Sequence, residues 1–208
     1  CVIKIYRMPQ TLFEIELQGA ASRIKEAVSQ DNCAKEVISS YVYAVAGNFV
    51  AWVAIAGHFV RHESARFALV DNLRCEVTQD HVGLLLGVAR ECRALPGAEE
   101  FRHLYEVSYS IRSLFCDTTT VGLKGLAFIA TLEYTSRLFI PELEKFAAEL
   151  GCTDLTYFAI HGEGDEEHAK ALVAAVEEEM FEGYPDAHGL VKEGVEVAAD
   201  LICKIFSG

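Results

Sequence analysis

The sequence predicts an all-α fold, a helical bundle of about seven to eight helices, and three observations carry that reading. Only four of the 208 residues are proline. No segment alternates apolar and polar residues over a strand's length, and apolar side chains recur at helical spacing nearly throughout. The expected helices are residues 12–29, 34–60, 64–78, 82–92, 98–115, 121–150, 155–182 and 187–206. Asp31-Asn32 separates the first two, and Pro96-Gly97 precedes the fifth. Asp117 to Thr120, Gly151 to Asp154 and Gly183 to Asp186 supply caps and turns before the last three. Residues 37–60 carry no charge and are long enough to cross a bilayer. Ser39, Ser40, Gly47, Asn48 and His58 interrupt that run, so a buried central helix is expected instead. Pro141 follows Ile140 inside a helical pattern and should kink or split that helix.

The chain's length and 51% hydrophobic content suit one sizeable core, so residues 1–208 are read as a single domain. Thirty-one acidic residues face 18 basic ones, giving a net charge of −13 with no Lys/Arg cluster. Nucleic acid and anionic membrane surfaces are therefore poor partners. The seven cysteines are scattered and form no Cys-x2-Cys pair. They read as reduced core thiols and point to a cytoplasmic setting. No secretory signal is read at the start of the sequence.

Chemistry concentrates between Tyr157 and Ala169, where His161, Asp165 and His168 stand at i, i+4 and i+7 on one helical arc. Two imidazoles and a carboxylate form the ligand set associated with non-haem iron. The alternative is a solvated helix start, because Glu163, Asp165, Glu166 and Glu167 are all acidic. Glu133 lies in the otherwise apolar run Leu126 to Thr135, where a buried carboxylate needs compensation. A metal ion would provide it, and so would an i, i+4 pair with Arg137.

The segment Tyr157-Phe158 followed by His161-x3-Asp165-x2-His168 resembles the last ligand helix of the haem-oxygenase-like diiron oxidases, also called iron-containing redox enzymes. Asn72-x3-Glu76 resembles that family's first ligand segment, and Glu133 stands where its mid-chain carboxylate is expected. The resemblance implies a haem-oxygenase-like helical bundle holding two Fe(II) ions, with O2 as co-substrate. It implies Glu76, Glu133, His161, Asp165 and His168 as metal ligands, with Glu76, Glu133 and His161 at the reaction centre. It also implies a small-molecule substrate, and it is compatible with an external electron source and a homodimer.

The sixth ligand departs from the family pattern, which places His or Glu three or seven residues after the first Glu. Here those positions are Gln79 and Gly83. Asp80 at i+4 would point the same way as Glu76, whereas His81 at i+5 would point roughly 140° away on a regular helix. Either the helix is irregular around Val77 to Asp80 and His81 is the ligand, or Asp80 is. His81 is preferred.

Other residues carry weaker signals. His58 and His62 read as a helix-end pair, and His103 and His188 as surface positions. Tyr41, Tyr43, Phe49 and Trp52 read as core aromatics, with one face of their helix available to line a substrate chamber. Arg112, Lys124 and Arg137 could each pair with a substrate carboxylate. The expected function is an O2-activating non-haem diiron oxidase acting on a small, amino-acid-derived substrate. Its outcome would be N-oxygenation, oxidative C–C or C–N cleavage, desaturation or nitrile formation. The alternatives are a metal-free enzyme of the same fold, resembling thiaminase-like or cofactor-biosynthesis branches, and a non-catalytic helical interaction protein.

Overall fold

The computed structural model describes residues 11–207, except the side chains of residues 162–165. Among the described residues there are ten helices and no strand. They are α1 (Leu12–Val28), α2 (Ala34–Val45), α3 (Asn48–Phe59), α4 (Glu63–Thr78) and α5 (His81–Glu91), followed by α6 (Ala98–His103), α7 (Tyr105–Cys116), α8 (Val121–Glu149), α9 (Thr156–Glu179) and α10 (Ala187–Ile205).

The count exceeds the expected seven to eight because two expected helices are each divided. Residues 34–60 break at Gly47, whose φ of 79° is left-handed; such a backbone is open to glycine at no steric cost. Asn48 Nδ2 then donates to the Ala44 carbonyl at 3.0 Å, satisfying a group at the end of α2. By length and mean hydropathy alone, Ala34–Phe59 passes as a membrane span, yet the turn makes it two helices of 12 residues. The second division falls at Leu104, which is fully buried, whereas α6 buries none of its residues. Turning the chain there drives Leu104, Val107, Ile111 and Leu114 into the core.

The central helix is α8, not the 34–60 segment. Its 29 residues pack against α9, α10, α3, α1, α2 and α7, and Leu123, Leu126 to Ala130 and Leu143 are buried within them. The helix runs through Pro141 without dividing. Proline removes the bond to the carbonyl of residue i−4, which is Arg137, and both residues are exposed, so water can satisfy that oxygen. Helices α8 and α9 form an antiparallel pair joined at Gly151, which sets residues of the two against each other; α4 lies along α9, from Ser64 beside Glu178 to Glu76 beside His161, where α5 also meets α9.

Candidate metal centre

Helix α4 presents Asn72 and Glu76 one turn apart on the same buried face. The helix stops after Thr78, whose Oγ1 donates back to the Arg74 carbonyl at 2.8 Å, while the Gln79 N–H closes onto Cys75 and Val77. Asp80 then takes a left-handed φ of 51°, and its carboxylate accepts from the Gly83 N–H at 3.2 Å as the N-cap of α5. That turn abandons the phase of α4, and His81, the first residue of α5, folds back over Glu76. His81 Nδ1 lies 2.8 Å from Glu76 Oε1, and its Nε2 lies 3.0 Å from Gln79 Oε1. Asp80, exposed and engaged with Gly83, is directed elsewhere.

Helix α9 brings His161 against this pair, with ring centroids 4.7 Å from His81 and 4.5 Å from Tyr157. The ligand atoms of Glu76, His81 and His161 all lie within 4.8 Å of one another. Glu133, on α8, is 7% exposed and accepts from Asn72 Nδ2 at 2.6 Å. Asn72 thereby links the α4 and α8 carboxylate positions. Arg137, the expected alternative partner of Glu133, is exposed and stacks its guanidinium 4.6 Å over the Tyr134 ring. His168 lies two turns beyond His161 and lines a separate groove with Glu63, Phe67, Asp71 and Glu167. The Asp165 side chain lies outside the described residues.

Two spaces meet at this centre. A cavity of about 40 Å³ touches Glu76, Glu133, His161, Tyr41, Phe49 and Tyr157. It occupies the place expected for a substrate chamber beside the 34–60 segment, and it holds little more than one or two waters. On the other side, a groove of about 640 Å³ runs between α8 and α9 past Tyr134, Arg137, Phe158, Lys170 and Val173. Glu133, Ser136, Ile140 and His161 border both spaces.

The donor set fits iron. Two imidazoles and a carboxylate converge at one point, with a second carboxylate beside them, all in a largely buried setting where anionic oxygens call for a cation. Asn72 Oδ1, buried next to Glu133, has no hydrogen-bond partner among the described residues, which leaves an acceptor available at the same place.

Sequence reasoning overlooked the roles of Asn72 and Gln79. Asn72 was detectable, because a residue four before Glu76 must share its helical face. It also overlooked the Tyr41–Tyr157 contact, 3.0 Å between hydroxyl oxygens beside the imidazoles, and the buried Glu179. Glu179 needs no metal: it accepts from the Arg61 and His62 N–H groups, each at 2.8 Å, and from the Tyr184 hydroxyl. His62 caps α4, its ring accepting from the Ser64 N–H, and His103 is half-buried with Nε2 2.8 Å from the Lys204 carbonyl.

No curated protein matches the sequence. The model of one family, described as iron-containing redox enzyme, matches residues 39–202, a span that includes every helix contributing to the cluster. A converged His and carboxylate donor set inside an all-α bundle, together with a match over most of its length, establishes that the chain belongs to the iron-containing redox enzyme family and is an oxidoreductase.

Proposed function

We propose that this protein is a non-haem oxidase or oxygenase that holds two Fe(II) ions and uses O2 to oxidise a small organic substrate. The observation that carries the reading is the convergence of Glu76, His81 and His161 within 4.8 Å. Glu133, Asp165 and His168 complete the proposed ligand set, and the iron supplies the electron transfer with dioxygen that side chains lack. Asn72 fixes the Glu133 carboxylate through its 2.6 Å hydrogen bond, so that oxygen is oriented before any ion arrives. The Tyr157 and Tyr41 hydroxyls, 3.0 Å apart, line the inner side of the centre.

The organic substrate belongs in the α8–α9 groove, since the inner cavity is too small for it. Tyr134, Ile140, Phe158 and Val173 provide apolar walls, and Arg137 stands one turn from Glu133 to hold a carboxylate. That arrangement favours an amino-acid-derived acid, with N-oxygenation, C–C or C–N cleavage, desaturation or nitrile formation as the outcome. A single domain working in the cytoplasm, with electrons from an outside donor, completes the reading.

Anaerobic reconstitution with Fe(II) should load close to two ions per chain, and O2 should then produce a transient visible absorption. Glu133→Ala and His161→Ala should each lower the metal content while far-UV helicity persists. A wild-type sample that retains only trace metal would refute the proposal.

A further inference from the structure

We infer that Gln79 is a positioning residue that holds His81 so that Nδ1, and not Nε2, faces the other ligands. The inference rests on the reading of His81 as an iron ligand. As the first residue of α5, His81 follows a left-handed Asp80 and lacks a preceding helical turn of its own to fix its ring. Something else must fix it. The Gln79 amide oxygen, 3.0 Å from His81 Nε2, can only accept, so the proton of that contact sits on Nε2. The nitrogen left for a metal is Nδ1, which already lies 2.8 Å from Glu76 Oε1.

The surroundings make this orientation a defined one. His161 packs against the His81 ring at 4.7 Å with an interplanar angle of 64°, and Tyr157 sits edge-on at 6.4 Å and 80°. Turning the ring over would give up the Nε2–H bond to Gln79 and carry Nδ1 away from Glu76. Gln79 is itself held, because its N–H bonds to the Cys75 and Val77 carbonyls as the C-cap of α4. Asp80 is the neighbouring acceptor by sequence, but its carboxylate is engaged by the Gly83 N–H.

The test uses the full chain with Zn(II) as a diamagnetic probe. Gln79→Leu, which keeps the bulk and removes the acceptor, should weaken Zn(II) binding by about 10- to 100-fold, the usual consequence of losing a ligand's outer hydrogen bond. Its metal-free helicity and unfolding midpoint should match wild type, since Gln79 is exposed on its outer side. Gln79→Glu, which restores an acceptor, should recover most of the affinity. In the Zn(II)-loaded wild type, ¹⁵N-histidine NMR should show His81 with its proton on Nε2 and the metal on Nδ1.

Equal Zn(II) affinity in wild type and Gln79→Leu would overturn the inference and leave the ligand reading intact. Coordination through Nε2 in the wild type would do the same without recourse to any variant. A wild type that takes up neither Zn(II) nor Fe(II) would remove the ligand reading, and the role of Gln79 would fall with it.

Discussion

Glu133 and Glu179 are both buried carboxylates, and the protein treats them in opposite ways. Glu179 is surrounded by backbone N–H groups and the Tyr184 phenol, whose pKa is pushed up by burial first and then by Glu179. Glu133 meets the Asn72 amide and opens onto a cavity shared with Glu76 and His161. Replacing Asn72 by Leu withdraws a donor from a buried carboxylate and should cost about 1–3 kcal/mol. Urea unfolding of the metal-free protein measures this, and an unchanged midpoint would show that Glu133 does not depend on the amide. The cysteines give a second check. Burial, followed by the neighbouring Cys92, pushes the Cys152 thiol from 9.0 up to about 12. Because the folded value lies above the unfolded one, this contribution to stability is complete below about pH 9 and is lost as pH rises toward 12. Native protein at pH 8 should therefore be alkylated at the exposed Cys33 and Cys116 and spared at Cys152; rapid native-state labelling of Cys152 would contradict its burial.

At the scale of elements, the junction of α4 and α5 is where order and chemistry coincide. Its left-handed Asp80 and its run of exposed residues, Val77 to Asp80, give little packing of their own. Metal binding at Glu76 and His81 should hold the segment, so amide exchange across residues 73–84 should slow on adding Fe(II). Equal protection with and without Fe(II) would separate the junction's stability from the metal. Helices α8 and α10 show the opposite condition, an interface with no slack. A Cβ on Gly194 would stand 2.4 Å from the Lys124 carbonyl oxygen and 3.0 Å from Ala127 Cβ. Gly194→Ala should therefore destabilise by about 1–3 kcal/mol, read as a lower melting temperature.

For the whole molecule, the net charge of −13 makes an anionic substrate depend on a local cation. Arg137 in the α8–α9 groove is suited to that part, whereas Lys170 already pairs with Glu166 and Glu167. A carboxylate substrate should therefore bind more tightly than its decarboxylated analogue by about 1.5–3 kcal/mol, the value of a charged hydrogen bond. Arg137→Met should erase most of that difference. Equal affinities of the wild type for acid and analogue, measured calorimetrically, would count against an amino-acid-derived substrate.

The sequence by itself determined the helical class, the approximate ends of most helices and the burial of Glu133, because periodicity, turn residues and a carboxylate in an apolar run are local signals. It also brought out Glu76 and His161 as members of one set, though through motif resemblance more than through physics. The divisions at Gly47 and Leu104 were not legible, since each depends on which faces find partners in the core. Nor could helical phase choose between Asp80 and His81. Aspartate tolerates a left-handed backbone without requiring it, and only the docking of α5 against α4 and α9 selects that turn and brings His81 to Glu76. His161 and His168 share one arc of α9, as their spacing says, but seven residues separate them by about 10 Å along the helix axis. The α4–α5 junction meets α9 at His161, so it was tertiary packing that brought Glu76, His81 and His161 to one point.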